Sequence, residues 1–325
     1  MAGRATQERT LGAILGLGIG DALGMPVAGL DPATIRQRFG RIEEYHGLDF
    51  EEGVSLAPGE FTDETEIALC IMETYTSANG VLDPELIRAR MQFLSRGESR
   101  RWMSPETRRS LEDESEPPYR SDAIDDPEVA LRGIAIGLIH AAPEYDRVRL
   151  QDDVAQVVGL THGRREVVEL ATVVAEAMVR TLADTGDRQV LLGELGRSTD
   201  YRVLREALGS TQRLIDSSAT IEDLIARVHT DNRAVDAVVT GIAAFVTAVR
   251  FEDAVFAAAT GGGETDSRAA LSGALSGAHF GAGGIPQLLI DRLEGRIYLT
   301  LAAPWFYRTI QLMTGRGISM GRDDG

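Results

Sequence analysis

The segment GGGETDSRAALSGALSGAHFG (261–281) reads as a helix after Asp266, yet it places Gly273, Gly277 and Gly281 four residues apart. Each helical glycine costs about 1 kcal/mol relative to alanine. A step of four is slightly more than one turn, so Ala269, Gly273, Gly277 and Gly281 form one stripe bearing nothing larger than a methyl group. The N-terminal run LGAILGLGIGDALGMP (11–26) carries Gly12, Gly16, Gly20 and Gly24 at the same spacing. The two stripes predict two buried helices packed backbone against backbone, which requires the two ends of the chain to meet. A membrane-type small-residue motif is a poorer reading, because Asp21 interrupts an apolar run already shorter than the roughly 20 residues of a span.

Between these ends helical patterns dominate. Asp83 and Pro84 open DPELIRARMQFLSRG as N-cap and first helical residue, and Thr220 with Asp223 forms a variant capping box ahead of IEDLIARVHT. The runs 165–184 and 232–250 carry apolar residues at helical spacing. GRIYLTLAAPWFYRTIQL (295–312) reads equally as helix or strand. The polar, proline-bearing stretch 104–128 predicts an exposed loop. The expectation is an all-α, single-domain bundle over residues 1–315, with 316–325 as a frayed tail.

Composition removes several functions. A net charge of −17 argues against nucleic acid as a partner. The chain contains no lysine, which excludes P-loop, kinase-type and Schiff-base lysine chemistry. The single cysteine, Cys70, excludes an internal disulfide framework and reads as a buried thiol. No signal peptide is evident, so a cytoplasmic protein with no membrane partner is expected.

Two short stretches gather oxygen donors. FTDETEIAL (61–69) offers Thr62, Asp63 and Glu64; GGGETDSRA (261–269) offers Glu264, Asp266 and Ser267. Each stands just ahead of a helical pattern, so each also reads as an N-cap with acids in the first turn. Two such clusters beside two matching glycine stripes point further, to a site for hard divalent cations, because all-oxygen donor sets suit Mg²⁺ or Mn²⁺.

GDALGMP (20–26), FTDETEIAL (61–69), LTHG (160–163) and GGETDSRAALSGALSGAHFGAGGIP (262–286) occur in the order found in the ADP-ribosylglycohydrolase family, which this chain resembles over nearly its whole length. The resemblance implies an all-helical fold with a two-metal centre. It also implies hydrolysis of the bond between C1″ of the distal ribose of ADP-ribose and an acceptor on a protein or small ADP-ribosyl compound. By position, the family's metal ligands fall on Thr62, Asp63, Glu64, Glu264, Asp266 and Ser267. Asp63 and Asp266, unchanged from the family pattern, are the catalytic candidates. Asp21 of the Gly-Asp motif and His162 fall to substrate binding.

The chain departs from the pattern at three positions and in one missing pair. Glu64 and Glu264 stand where the family has aspartates, and Ala28 stands where it has a glutamate that Glu43, Glu44 or Glu60 could replace. The Asn-Gly pair that precedes the segment resembling VALRGIAIGL (129–138), near the diphosphate, is missing. These departures leave two further readings: an N-glycosidase with a changed nucleoside or nucleotide-sugar substrate, and a non-catalytic relative acting as a binding or structural protein.

Overall fold

The computed structural model describes residues 6–49, 55–115, 117–141, 146–183 and 187–313. Among these, sixteen α-helices follow one another: α1 (Gln7–Gly24), α2 (Pro32–Arg38), α3 (Asp63–Ser77), α4 (Pro84–Leu94), α5 (Pro105–Glu112), α6 (Pro127–His140), α7 (Arg147–Val158) and α8 (Arg165–Ala183). The second half comprises α9 (Leu191–Ser198), α10 (Arg202–Asp216), α11 (Ile221–Arg227), α12 (Arg233–Thr247), α13 (Phe251–Thr260), α14 (Thr265–Phe280), α15 (Gln287–Arg292) and α16 (Arg296–Gln311). Extended structure among the described residues is confined to the antiparallel pair β1 (Leu48–Asp49) and β2 (Ser55–Leu56) and an isolated bridge between Ser121 and His162. The fold is the all-α one expected.

The glycine stripes meet. α1 and α14 run antiparallel at the centre of the molecule, and the register steps by four along both. A Cβ built on Gly12 would lie 2.2 Å from the Gly277 carbonyl oxygen, one on Gly16 2.0 Å from that of Gly273, and one on Gly20 1.9 Å from that of Ala269. On Gly24 it would lie 2.2 Å from the carbonyl oxygen of Thr265. Gly281 belongs differently: it ends α14 at a φ of 75°, where its freedom serves a turn rather than a crossing. α1 has the length and hydropathy of a membrane span, but 89% of that window is buried inside the protein.

A second close crossing was not anticipated. Cβ atoms on Gly133 and Gly137 of α6 would come within 2.2 and 2.6 Å of the carbonyl oxygens of Ala171 and Ala175 on α8. The same four-residue logic is written there with glycine on one helix and alanine on the other.

Two expectations change. Within 104–128, Ser104 accepts from the Thr107 amide and Pro105 takes the first helical position, so residues 105–112 form α5 rather than loop. The ambiguous run near the C-terminus is α16. It buries Leu299, Ala303, Phe306 and Ile310 at helical spacing while exposing Ile297, Leu301 and Trp305, and apolar residues on both faces blur the period. The Thr220–Asp223 capping box is present with both bonds. The tail 316–325 lies outside the described residues.

Candidate functional site

The antiparallel register carries Asp21, near the end of α1, to the start of α14. Asp21 is fully buried and holds the N-terminus of α3. Its Oδ2 accepts from the amide of Thr62 at 2.8 Å, the amide of Thr65 at 3.2 Å and the Thr65 hydroxyl at 2.6 Å, and its Oδ1 accepts from the Thr62 hydroxyl at 2.7 Å. Helix amides that would otherwise be orphaned are thus satisfied by a carboxylate from another helix. Thr62 occupies the N-cap position yet makes no capping bond with its own side chain; its hydroxyl turns to Asp21 and to Glu64 at 3.0 Å.

The second cluster sits on a loop that glycine alone permits. Gly262 and Gly263 have φ of 76° and 71°, and the loop pairs with residues 29 and 30 through Gly29 N–H to Gly263 O, 2.8 Å, and Gly263 N–H to Leu30 O, 2.9 Å. Arg268, buried on α14, donates to the Gly262 carbonyl at 2.8 Å and to the Thr240 hydroxyl at 2.8 Å, bracing the loop from behind. Glu264 is the N-cap residue of α14 and also makes no capping bond; it pairs with Arg233 at 3.1 Å.

Glu64 joins the clusters. Its Oε1 accepts from the Ser267 hydroxyl at 2.8 Å, across 203 residues of sequence, while its Oε2 lies 3.0 Å from the Thr62 hydroxyl, which shares its one hydrogen between Asp21 and Glu64. The two stretches therefore build one site, in which the N-termini of α3 and α14 face each other. Asp63 is buried in it, and Asp266 is half-buried with its Oδ1 enclosed and without a hydrogen-bond partner.

Charge is poorly compensated here. Burial, and then the charge of Asp21, pushes the Glu64 carboxyl up to about 7; burial does the same for Asp21 against the bonds from Thr65 and Thr62. Asp63 stands well above the usual carboxylate range through burial and the charges of Glu64, Glu128 and Asp21, and Asp266 through burial, Glu64 and Glu264. No three His, Cys, Asp or Glu side chains among the described residues converge closely enough to hold a metal ion. Glu64 is turned onto two hydroxyls and Glu264 onto Arg233. The donor chemistry nevertheless fits a hard divalent cation. Every candidate offers oxygen, one carboxylate oxygen is buried and unbonded, and a cation would relieve the repulsion that burial concentrates.

His162 lies in an adjoining buried network that the sequence did not announce. Arg132 on α6 donates to Glu128 from Nε at 2.8 Å and Nη2 at 2.9 Å, and to the Thr161 hydroxyl from Nη1 at 2.7 Å. Thr161 lies 3.0 Å from His162 Nδ1. The Thr161 hydroxyl thus joins Arg132 to one nitrogen of the ring, and the other nitrogen is Nε2. That Nε2 is buried without a hydrogen bond, 3.7 Å from Asp126 Oδ2. Burial, then Arg132, holds His162 down to about 4, so the ring is neutral near pH 7. Asp126, which accepts from the Ser104 hydroxyl, is pushed up to about 7 by burial and by Glu128. The signal available beforehand was Arg132 itself, a charge inside an apolar helical run with Glu128 one turn earlier.

None of the acids considered as replacements at position 28 turns to this site. Glu43 pairs with Arg41 and Glu44 with Arg292 on the surface, and Glu60 accepts from the Ala57 amide and from Arg101. Ala28 itself lies beside Gly29, whose amide bonds Gly263.

A family model described as ADP-ribosylglycohydrolase matches residues 2–315. An uncharacterised protein of Archaeoglobus fulgidus is 26% identical over 306 residues, 93% of this chain and 96% of that protein. The ADP-ribosylarginine hydrolase Tri1 of Pseudomonas putida is 27% identical over 295 residues, 88% of this chain and 74% of Tri1. The ADP-ribosyl-[dinitrogen reductase] glycohydrolase of Rhodospirillum rubrum is 37% identical, but over only 83 residues, 26% of this chain and 27% of the enzyme. A solved structure titled "ADP-ribosylglycohydrolase-related protein complex" superposes with a TM-score of 0.75 at 27% identity, covering 94% of this chain and 98% of that one.

Proposed function

The chain belongs to the ADP-ribosylglycohydrolase family, whose enzymes hydrolyse glycosidic bonds of ADP-ribose, and from that premise we propose that it releases ADP-ribose from a modified protein side chain with Mg²⁺ or Mn²⁺ as cofactor. Arginine is the favoured acceptor, since a relative aligned over most of the chain is an ADP-ribosylarginine hydrolase. The observation that carries the reading is Glu64, which draws Thr62 and Ser267 together and makes one acidic site from two distant stretches.

In this reading Thr62, Asp63, Glu64, Glu264, Asp266 and Ser267 hold two cations. Bound there, such ions would supply Lewis acidity, which lowers the pKa of water. The reaction breaks the bond from C1″ to the acceptor, places the water oxygen on C1″ and delivers a proton to the leaving group, through an oxocarbenium-like state. Asp63 and Asp266 orient the water as hydrogen-bond acceptors, the latter through its unbonded Oδ1. Asp21 does not need to touch substrate to matter, because its four bonds fix Thr62 and the start of α3. His162, neutral, offers its unbonded Nε2 to the substrate rather than acting as an acid.

Asp63→Ala or Asp266→Ala is expected to lower ADP-ribose release from an ADP-ribosylated arginine peptide by about a hundredfold or more. Either variant should also abolish the rise in melting temperature that Mg²⁺ or Mn²⁺ gives the wild type, about 2.7 kcal/mol at a hundred times the dissociation constant. A wild type indifferent to both ions would remove the cation site. Ala28→Glu should place a carboxylate on the strand of loop that bonds Gly263, one residue from Glu264, and raise turnover severalfold. Unchanged turnover together with unchanged Mn²⁺ affinity would show that a side chain at 28 points elsewhere.

A further inference from the structure

Three arginines make bonds into this region, and two of them are committed. Arg132 and Arg268 are buried, the first giving its nitrogens to Glu128 and Thr161, the second to Thr240 and the Gly262 carbonyl. Arg233 is different. Its side chain is 62% exposed and stands between two loops, with Nε 3.5 Å from Asp125 Oδ2 and Nη1 3.1 Å from Glu264 Oε1.

Its place is set by the residue before it. Asn232 caps α12 by accepting from the Val235 amide at 2.9 Å and donates to the Ile124 carbonyl at 2.9 Å, which pins the start of α12 against the loop leading into α6. Asp125, Asp126 and Glu128 lie along that loop and the start of α6, and Asp63, Glu64 and Asp266 at the starts of α3 and α14. A doubly charged diphosphate approaching this surface meets several carboxylates and the exposed guanidinium of Arg233.

We propose that Arg233 is the specificity-determining cation of the site, leaving Asp125 and Glu264 to take the diphosphate of the ADP-ribosyl group. The inference rests on the functional reading above and names the residue that replaces the missing Asn-Gly pair. Exposed arginine–carboxylate pairs contribute little and exchange readily, whereas a guanidinium meets phosphate oxygens with two parallel hydrogen bonds. The exchange also frees Glu264, so the substrate's anionic end releases a carboxylate of the cation site as it docks.

The test is calorimetric binding of ADP-ribose to the intact protein in Mn²⁺, at two salt concentrations. Wild type is expected to bind, more weakly at higher salt. Arg233→Ala should weaken binding about tenfold or more and flatten the salt dependence, with Arg233→Lys intermediate. Asp125→Asn, which removes a competing carboxylate, should tighten it. Arg233→Gln repeats the measurement with a polar side chain of similar length, and melting curves for each variant establish that it is folded. Equal affinity and equal salt dependence in wild type and Arg233→Ala would overturn the assignment while leaving the hydrolase reading in place. A wild type with no affinity for ADP-ribose would remove that reading and the assignment together.

Discussion

Gly16→Ala is expected to destabilise the protein by about 3 kcal/mol, at the upper end of what overpacking usually costs, despite a gain of about 1 kcal/mol in helix propensity. The new methyl group would sit 2.0 Å from the Gly273 carbonyl oxygen, 2.7 Å from its carbon and 3.2 Å from Phe251 Cε2. Two of those three atoms are backbone, so the clash is relieved only by separating α1 from α14, and the separation is felt along the whole crossing. Gly18→Ala, one half-turn away, is the matched control. Its methyl group would meet Leu299, Phe61 and Leu293 side chains at 3.5–3.6 Å, ordinary contact, and should be neutral or stabilising. In thermal unfolding the two variants should differ by roughly 4–6 °C. Equal melting temperatures would mean that the stripe does not set the distance between the helices.

In chelator, stability should fall by about 3 kcal/mol or more as pH rises from 4.5 to 7. Asp21, Glu64 and Asp126 are each raised to about 7 in the fold, with Asp63 and Asp266 also raised, against ordinary values of 3.8 for aspartate and 4.5 for glutamate. Across this window the unfolded chain releases protons that the native one keeps, so the slope of stability against pH is negative. His162 works in the other direction. Lowered from 6.5 to about 4, it leaves the native state with fewer bound protons than the unfolded chain, so its contribution grows as pH rises through the same window. Five carboxyls outweigh one imidazole. Mn²⁺ or Mg²⁺ favours the ionised carboxylates, so its stabilisation should be larger at pH 7.5 than at pH 5. Urea titrations at both pH values, with and without the ion, measure this directly; a flat profile in chelator would show that the buried acids are compensated within the protein.

The parts of this arrangement that were legible in the sequence are those in which one residue type has one physical use. Glycines four apart inside a helix have little purpose other than close approach, and they located the α1–α14 crossing from both ends. Carboxylates and hydroxyls immediately before helical runs located Thr62–Glu64 and Glu264–Ser267, though not that Glu64 would bond both hydroxyls. Asp126, Thr161 and Arg233 were not legible in this way. Each is an ordinary residue in an ordinary local pattern, and its meaning comes from neighbours 29 to 108 positions away. Ser104–Pro105 was misjudged for the opposite reason: a strong helix-start signal was diluted by the acidic, proline-bearing stretch that follows.

The antiparallel crossing also imposes an order in time. Thr265 on α14 donates to the Gly24 carbonyl on α1 across 241 residues of chain. A ribosome adding 5–20 residues per second needs roughly ten to fifty seconds to make that intervening length. Throughout that interval α1, almost wholly buried in the finished fold, has been synthesised without the helix that covers it. The newborn chain should therefore depend on a chaperone bound early to its first helix, and fragments ending before residue 265 should aggregate or adhere to membranes rather than show partial activity.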